Sequence, residues 1–209
     1  MVGRIIETAE DVAEGAAHLA RVEPRFAWAL EQTGPLPLRR RPDGFAPLLS
    51  AIVSQQVSTA AARAIWARVE ALGPVEAARI AACSDEDLRA CGLSRQKIAY
   101  TRAIAGSGMD FMALRTLPDA EVVARLVQVK GIGIWTAEIY AMFALGRADV
   151  FAPGDLALRD ATQKLFDLPG RPTERALRDM AAAWSPWRSV AARLLWEYYR
   201  ILNQRDGVR

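Results

Sequence analysis

The chain has 209 residues, 52% hydrophobic and 24% charged, which is the composition of a folded globular protein of one domain or two small ones. Its 27 basic and 24 acidic residues leave a formal net charge of +3, an excess that permits a nucleic-acid partner without demanding one. No apolar run approaches the ~20 residues of a membrane span. Acids interrupt the opening MVGRIIETAEDVAEG where a secretion signal needs its apolar core. Two cysteines (Cys83, Cys91) cannot build a four-cysteine cluster, and one histidine (His18) argues against a histidine-based metal site or triad. Two lone thiols suit a reducing cytoplasm. Only Lys97, Lys130 and Lys164 are lysines, so few amines are available for Schiff-base chemistry.

In chain order, an N-terminal helical arm carrying His18 is followed by a linker, TGPLPLRRRPDGF, over residues 33–45. Its Arg39, Arg40 and Arg41 read either as a solvated charge run or as a phosphate contact. Leu48, Leu49, Ile52, Val53, Val57, Ala60, Ala61, Ala64, Ile65, Val69 and Leu72 then form one long apolar stripe at helical spacing. Ser84, with Asp87 three residues on, reads as a capping box, and Gly92 as the stop. Pro118–Asp119 opens a helix over EVVARLVQV. Thr173 opens ERALRDMAAAW, and Pro186 suits the first turn of the last helix. That helix carries a second stripe: Val190, Ala191, Leu194, Leu195, Tyr198, Ile201 and Leu202. The pattern predicts an all-α, two-lobed orthogonal bundle of about ten helices without strands. It predicts one unit over 1–209, with an arm and linker (1–45) and a helical body (46–209) containing a hairpin at 126–137.

The hairpin, LVQVKGIGIWTA, is the most informative stretch. Gly131 and Gly133 allow positive φ and lack a Cβ, so a phosphate can approach the backbone N–H groups. The helix beginning near Ile134 presents its positive dipole end there. Ile132 fits as a plug between the two helices. Such an element fixes register on a nucleic-acid backbone and reads no base. Downstream, Pro153 and Gly154 break the chain and Asp155 opens a helix. By itself Asp155 reads as an N-cap; a fixed anion there also suits a developing sugar cation.

The pattern L-x-x-V-x-G-I-G-x-x-T-A, followed by a helix, a Pro/Gly turn and an Asp, resembles the helix–hairpin–helix superfamily of DNA base-excision glycosylases. Three further stretches agree: LLSAIVSQQVSTAAARAIWARV from Leu48, GLSRQKIAYTRAIA from Gly92, and WSPWRSVAARLLWEYY from Trp184. The last is similar to the C-terminal helix of the 3-methyladenine DNA glycosylase II branch. The likeness covers roughly residues 22–202.

The resemblance implies an enzyme that flips a damaged nucleotide out of double-stranded DNA and hydrolyses its N-glycosidic bond. Asp155 matches the catalytic carboxylate, stabilising an oxocarbenium-like sugar and orienting water. Trp135 stands where bifunctional members carry a Schiff-base lysine, which implies base release without strand cleavage and an abasic site left for an AP endonuclease. Trp135 and Trp196 match base-pocket aromatics, which suit a cationic alkylated purine through a cation–π contact. Trp187 lies in the same C-terminal motif, although a Trp at helical spacing also reads as core. A pocket tyrosine expected at residue 139 is Ile139, with Tyr140 one place later.

The resemblance makes Gln56 the duplex wedge; read without it, Gln55 and Gln56 are exposed helix residues. Ser58, Lys130, Gly131, Ile132, Gly133 and Thr136 complete the DNA contacts. The carbonyls of Val127, Val129 and Ile132 are expected to hold a structural Na+ or K+, with no cofactor needed for catalysis. The expectation is a monomer of the bacterial cytoplasm, associated with the nucleoid. The alternatives are a same-fold glycosylase for uracil or oxidised bases, and a non-catalytic helix–hairpin–helix module.

Overall fold

The structure, a computed structural model, describes residues 2–206. Among them are thirteen α-helices: α1 (Ala9–Val22), α2 (Pro24–Thr33), α3 (Phe45–Val53), α4 (Thr59–Glu70), α5 (Ala77–Ala82), α6 (Asp85–Ala90), α7 (Arg95–Ala105), α8 (Phe111–Leu114), α9 (Asp119–Val127), α10 (Ile134–Phe143), α11 (Leu156–Leu165), α12 (Glu174–Ala181) and α13 (Arg188–Asp206). A short 3-10 turn spans Ala182–Trp184. The all-α expectation holds. The helix count is higher than expected because α5, α6 and α8, of 6, 6 and 4 residues, are too short to display a period. One backbone pairing also escaped the sequence: Ile5 and Arg147 form an isolated antiparallel bridge, with Ile6 N–H donating to Gly146 O at 2.7 Å and Ala148 N–H to Arg4 O at 3.0 Å.

Local signals explain most boundaries. Ser84 and Asp87 form the expected reciprocal capping box, and Thr173 caps α12 through Ala176 N–H. A second box, Thr8 with Asp11, starts α1. Each such cap stabilises its helix by about 1 kcal/mol. Pro186 differs from expectation: α13 starts two residues later, at Arg188.

The long stripe from Leu48 to Leu72 is not one helix. α3 buries Leu48, Leu49, Ile52 and Val53, and α4 buries Ala62, Ile65 and Val69. Between them Gln56 adopts a left-handed φ of 55°, which no helix accommodates, and Val57 is exposed. Ser58 then restarts the helix by accepting from Ala61 N–H at 3.2 Å.

The chain forms two compact units. One comprises residues 1–2 and Arg41–Tyr140; the other comprises Gly3–Arg40 and Ala141–Arg209. The division of 1–45 from 46–209 is therefore corrected: α1 and α2 belong with α11 and α13. In this second unit Gly15 lets α1 approach closely, because a Cβ there would lie 2.6 Å from Trp187 Cε3. Phe26, Phe151, Phe166 and Trp184 form its aromatic core. In the first unit α3, α5 and α6 pack on α7, burying Ile80, Leu88 and Ile98. Each such apolar side chain contributes roughly 1.5–3 kcal/mol.

The linker is anchored rather than loose. Within the second unit Leu38 O accepts from Arg193 Nε and Nη2 at 3.2 and 3.1 Å. Arg40 Nη1 donates to Phe143 O and Ala144 O at 3.1 and 2.6 Å, satisfying the C-terminal carbonyls of α10. Arg39 pairs with Glu197. Arg39 and Arg40 are exposed, as a solvated run would be, but long-range partners also hold them.

Candidate active site

The first unit holds the hairpin. α9 ends at Val127 and α10 begins at Ile134, as the glycine spacing predicts. Ile132 is the plug, 4% exposed, and its N–H donates to Val129 O at 3.0 Å. The two glycines differ in role. Gly131 has φ 99°, and a Cβ there would overlap Cγ of Tyr100, so the fold requires it. Gly133 is not at positive φ, which corrects that part of the expectation, and nothing lies within 4 Å of where its Cβ would be. It leaves bare backbone at the start of α10, where N–H groups lack helical partners. Lys130 is exposed beside it. Thr136, in the first turn of α10, is 3% exposed and lies in the lining of the cavity described below.

The loop between α3 and α4 belongs to the same unit. Lys97 Nζ donates to Val53 O at 2.6 Å, holding the end of α3, and burial pushes its ammonium below the ordinary lysine range. Ser54 Oγ donates to Ser50 O at 2.8 Å. Gln55 Nε2 reaches Gly131 O at 3.4 Å, a long bond linking loop and hairpin. Gln56 is exposed at the strained left-handed position. Ser58 is occupied as the α4 cap. Lys97 was not legible as a holder of this loop; its rarity among arginines was the only sequence cue.

A cavity of about 850 Å³ opens beside this loop, lined by Arg41, Pro47, Ser50, Gln56, Trp135 and Ile139 among others. The volume is of the size that small-molecule sites use. Trp135 is 42% exposed and lines the cavity. Tyr140 does not line it, correcting the pocket assignment. One residue further along a helix turns the side chain by ~100°, and Tyr140 is buried instead. Its hydroxyl accepts from Gly44 N–H at 2.7 Å, and burial pushes it up to about 12. Ile139, four residues after Trp135, takes the pocket position.

The second unit holds Asp155. It is the N-cap of α11, its Oδ1 accepting from Leu158 N–H at 3.1 Å. The same oxygen accepts from Trp196 Nε1–H at 3.1 Å. Trp196 is half-buried, its ring 5.6 Å from that of Phe143. Two donors on one oxygen fix the carboxylate orientation. Trp187 is a core residue, 5% exposed, packed on Gly15 with the Arg4 guanidinium 5.2 Å from its ring. Its pocket assignment is corrected: the close approach of α1 covers it.

Val127, Val129 and Ile132, whose carbonyls are the expected cation ligands, lie at the hairpin turn. The Val129 oxygen already accepts one N–H and retains a lone pair. No helix among the described residues is long and apolar enough to cross a membrane.

The chain as a whole is similar to known proteins. A family model described as HhH-GPD superfamily base excision DNA repair protein matches residues 49–188. A DNA-3-methyladenine glycosylase 1 from Schizosaccharomyces pombe is 32% identical over 174 residues, covering 78% of this chain and 75% of that protein. The crystal structure of a DNA-3-methyladenine glycosidase from Bacillus halodurans superposes with a TM-score of 0.81 at 34% identity, covering 89% of both chains. A 3-methyladenine DNA glycosylase from S. pombe in complex with abasic DNA has a TM-score of 0.76 at 29% identity, covering 88% of this chain and 95% of that one.

Proposed function

From the premise that the chain belongs to the HhH-GPD superfamily of base excision DNA repair proteins, we propose that it is a monofunctional DNA glycosylase acting on alkylated purines. The observation that carries the proposal is the Asp155 carboxylate, held at the start of α11 by Leu158 N–H and Trp196 Nε1–H. A fixed anion needs no reorganisation as positive charge develops at the sugar. Water attacks C1′ while the N-glycosidic bond breaks; the electron pair of that bond leaves with the base, and the water gives up its proton to the Asp155 carboxylate. A 3-methyl or 7-methyl purine carries a positive charge while attached and departs neutral, so its bond is already weak.

The cavity beside Trp135 suits the extruded base. An indole face attracts a cationic ring by roughly 0.5–2 kcal/mol beyond burial. Gln56, strained and exposed on its loop, suits filling the gap in the duplex. The bare backbone at Gly133 with Lys130 beside it suits a DNA phosphate. The carbonyls of Val127, Val129 and Ile132 would hold a monovalent cation there, which would supply charge toward that phosphate. Trp135 has no amine, so no Schiff base forms at that position and the product is an intact strand with an abasic site, the substrate class of AP endonucleases. We place the protein as a monomer with chromosomal DNA in the bacterial cytoplasm.

The test is release of free base from duplexes carrying 3-methyladenine or 7-methylguanine, comparing wild type with Asp155→Asn. Fast release by wild type and only a slow residual rate for Asp155→Asn, with nicks only after alkali, supports the reading. Nicking without alkali overturns the monofunctional assignment. Release from a uracil or 8-oxoguanine duplex alone overturns the alkylpurine substrate.

A further inference from the structure

Of the three consecutive arginines in the linker, Arg39 has the most unusual setting. Its backbone sits in the left-handed region at φ 52°, which non-glycine residues seldom adopt. The chain on both sides is pinned: Leu38 O by Arg193, and Arg40 on the last carbonyls of α10. Arg39 Nη2 meets Glu197 Oε1 at 2.5 Å, and its Cζ lies 5.9 Å from the centroid of the Trp196 ring. The Glu197 side chain is only 10% exposed and also pairs with Arg200 Nε at 2.8 Å. Trp196 is the residue whose indole N–H meets Asp155.

We propose that Arg39 is a positioning residue for base release, acting on Asp155 through Trp196. This rests on the reading of Asp155 as the catalytic carboxylate. The argument is geometric. The second side-chain torsion of a tryptophan is broad, and a hydrogen bond weakens steeply as its angle opens. The indole therefore needs contacts on its ring to keep Nε1–H aimed at one oxygen. Phe143 supplies one contact at 5.6 Å, and the Arg39 guanidinium, held by Glu197, supplies another. A cation over the ring is attracted to its π face and draws electron density from the indole, which strengthens the N–H as a donor. Glu197 is thus the anchor of the clamp, and the left-handed turn at Arg39 is what brings the guanidinium to the ring.

A phosphate contact by Arg39 would have a different signature, since it would act on duplex affinity rather than on the chemical step. The experiment measures single-turnover base release and duplex affinity for wild type, Arg39→Met, Arg39→Lys, Glu197→Gln, Asp155→Asn and the Arg39→Met/Asp155→Asn double variant. Thermal melting of each variant reports folding. The expected result is a rate about 10-fold lower for Arg39→Met with unchanged duplex affinity, the size of a misdirected charge-assisted hydrogen bond. Arg39→Lys recovers part of the rate because a cation remains, and Glu197→Gln loses rate in the same sense with the arginine present. The Arg39→Met loss vanishes in the Asp155→Asn background, as two residues acting on one group require. An Arg39→Met rate equal to wild type overturns the proposal. So does weakened affinity at an unchanged rate, and so does an equal loss with and without Asp155. Absence of base release by wild type overturns the reading beneath it, a result distinct from all of these.

Discussion

The indole Nε1–H of Trp196 donates to Oδ1 of Asp155 across 3.1 Å, tying the last helix to the N-cap of α11. A carboxylate that serves as an N-cap has one oxygen already committed to a backbone N–H. The second donor on that oxygen comes from 41 residues away in sequence.

Trp196→Phe removes the donor and keeps a ring beside Phe143. A hydrogen bond to a charged group is worth about 1.5–3 kcal/mol, so single-turnover base release falls roughly 10- to 100-fold. Melting temperature falls with the lost hydrogen bond, and duplex affinity changes little. A rate within a factor of two of wild type contradicts the role assigned to the indole.

The two hairpin glycines separate folding from binding. Gly131→Ala places a Cβ on Tyr100 at φ 99°, and destabilises the protein by at least ~1–3 kcal/mol through strain and overlap. Gly133→Ala meets open space at an ordinary φ, so melting is unchanged, but the methyl group stands where a phosphate must approach, and duplex affinity drops. Calorimetry and fluorescence anisotropy read the two effects; equal behaviour of the two variants contradicts the division.

Tyr140 and Ile139 differ in the opposite sense to the family pattern. Tyr140→Phe removes the acceptor of the half-buried Gly44 N–H and costs about 1 kcal/mol of stability, while base release per folded molecule stays as in wild type. Ile139→Ala enlarges the cavity beside Trp135 and changes the relative rates on 3-methyladenine and 7-methylguanine. A lesion panel with chemical denaturation distinguishes them.

Asp11 sets an acid limit on stability. It caps Glu7 and Thr8 N–H groups and pairs with Arg4; the backbone bond from Glu7, then the Arg4 bond, hold its carboxyl down at about 2. The folded value lies below the unfolded one. Its contribution is therefore complete above the ordinary aspartate range and is lost as pH falls toward 2. Asp11→Asn melts earlier at neutral pH and shows a shallower decline between about pH 4 and 2. Parallel acid-melting curves for the two proteins contradict this.

The sequence alone determined what depends on neighbouring residues. The Ser84 capping box, the hairpin ends at Val127 and Ile134, the plug at Ile132 and the N-cap at Asp155 all rest on interactions spanning four residues or fewer, so spacing reveals them. Tertiary structure decided the rest. The apolar period runs on through Val57, Ala60 and Ala61, and only the folded chain places a left-handed residue at Gln56 between α3 and α4. Whether Tyr140 or Ile139 faces the cavity depends on the rotation of α10 against its neighbours, which a one-residue step reverses. Arg39 and Glu197 are 158 residues apart. A charge run carries no mark of its partner, and an ion pair of that separation exists only once the packing of α1, α2 and α13 has closed the distance.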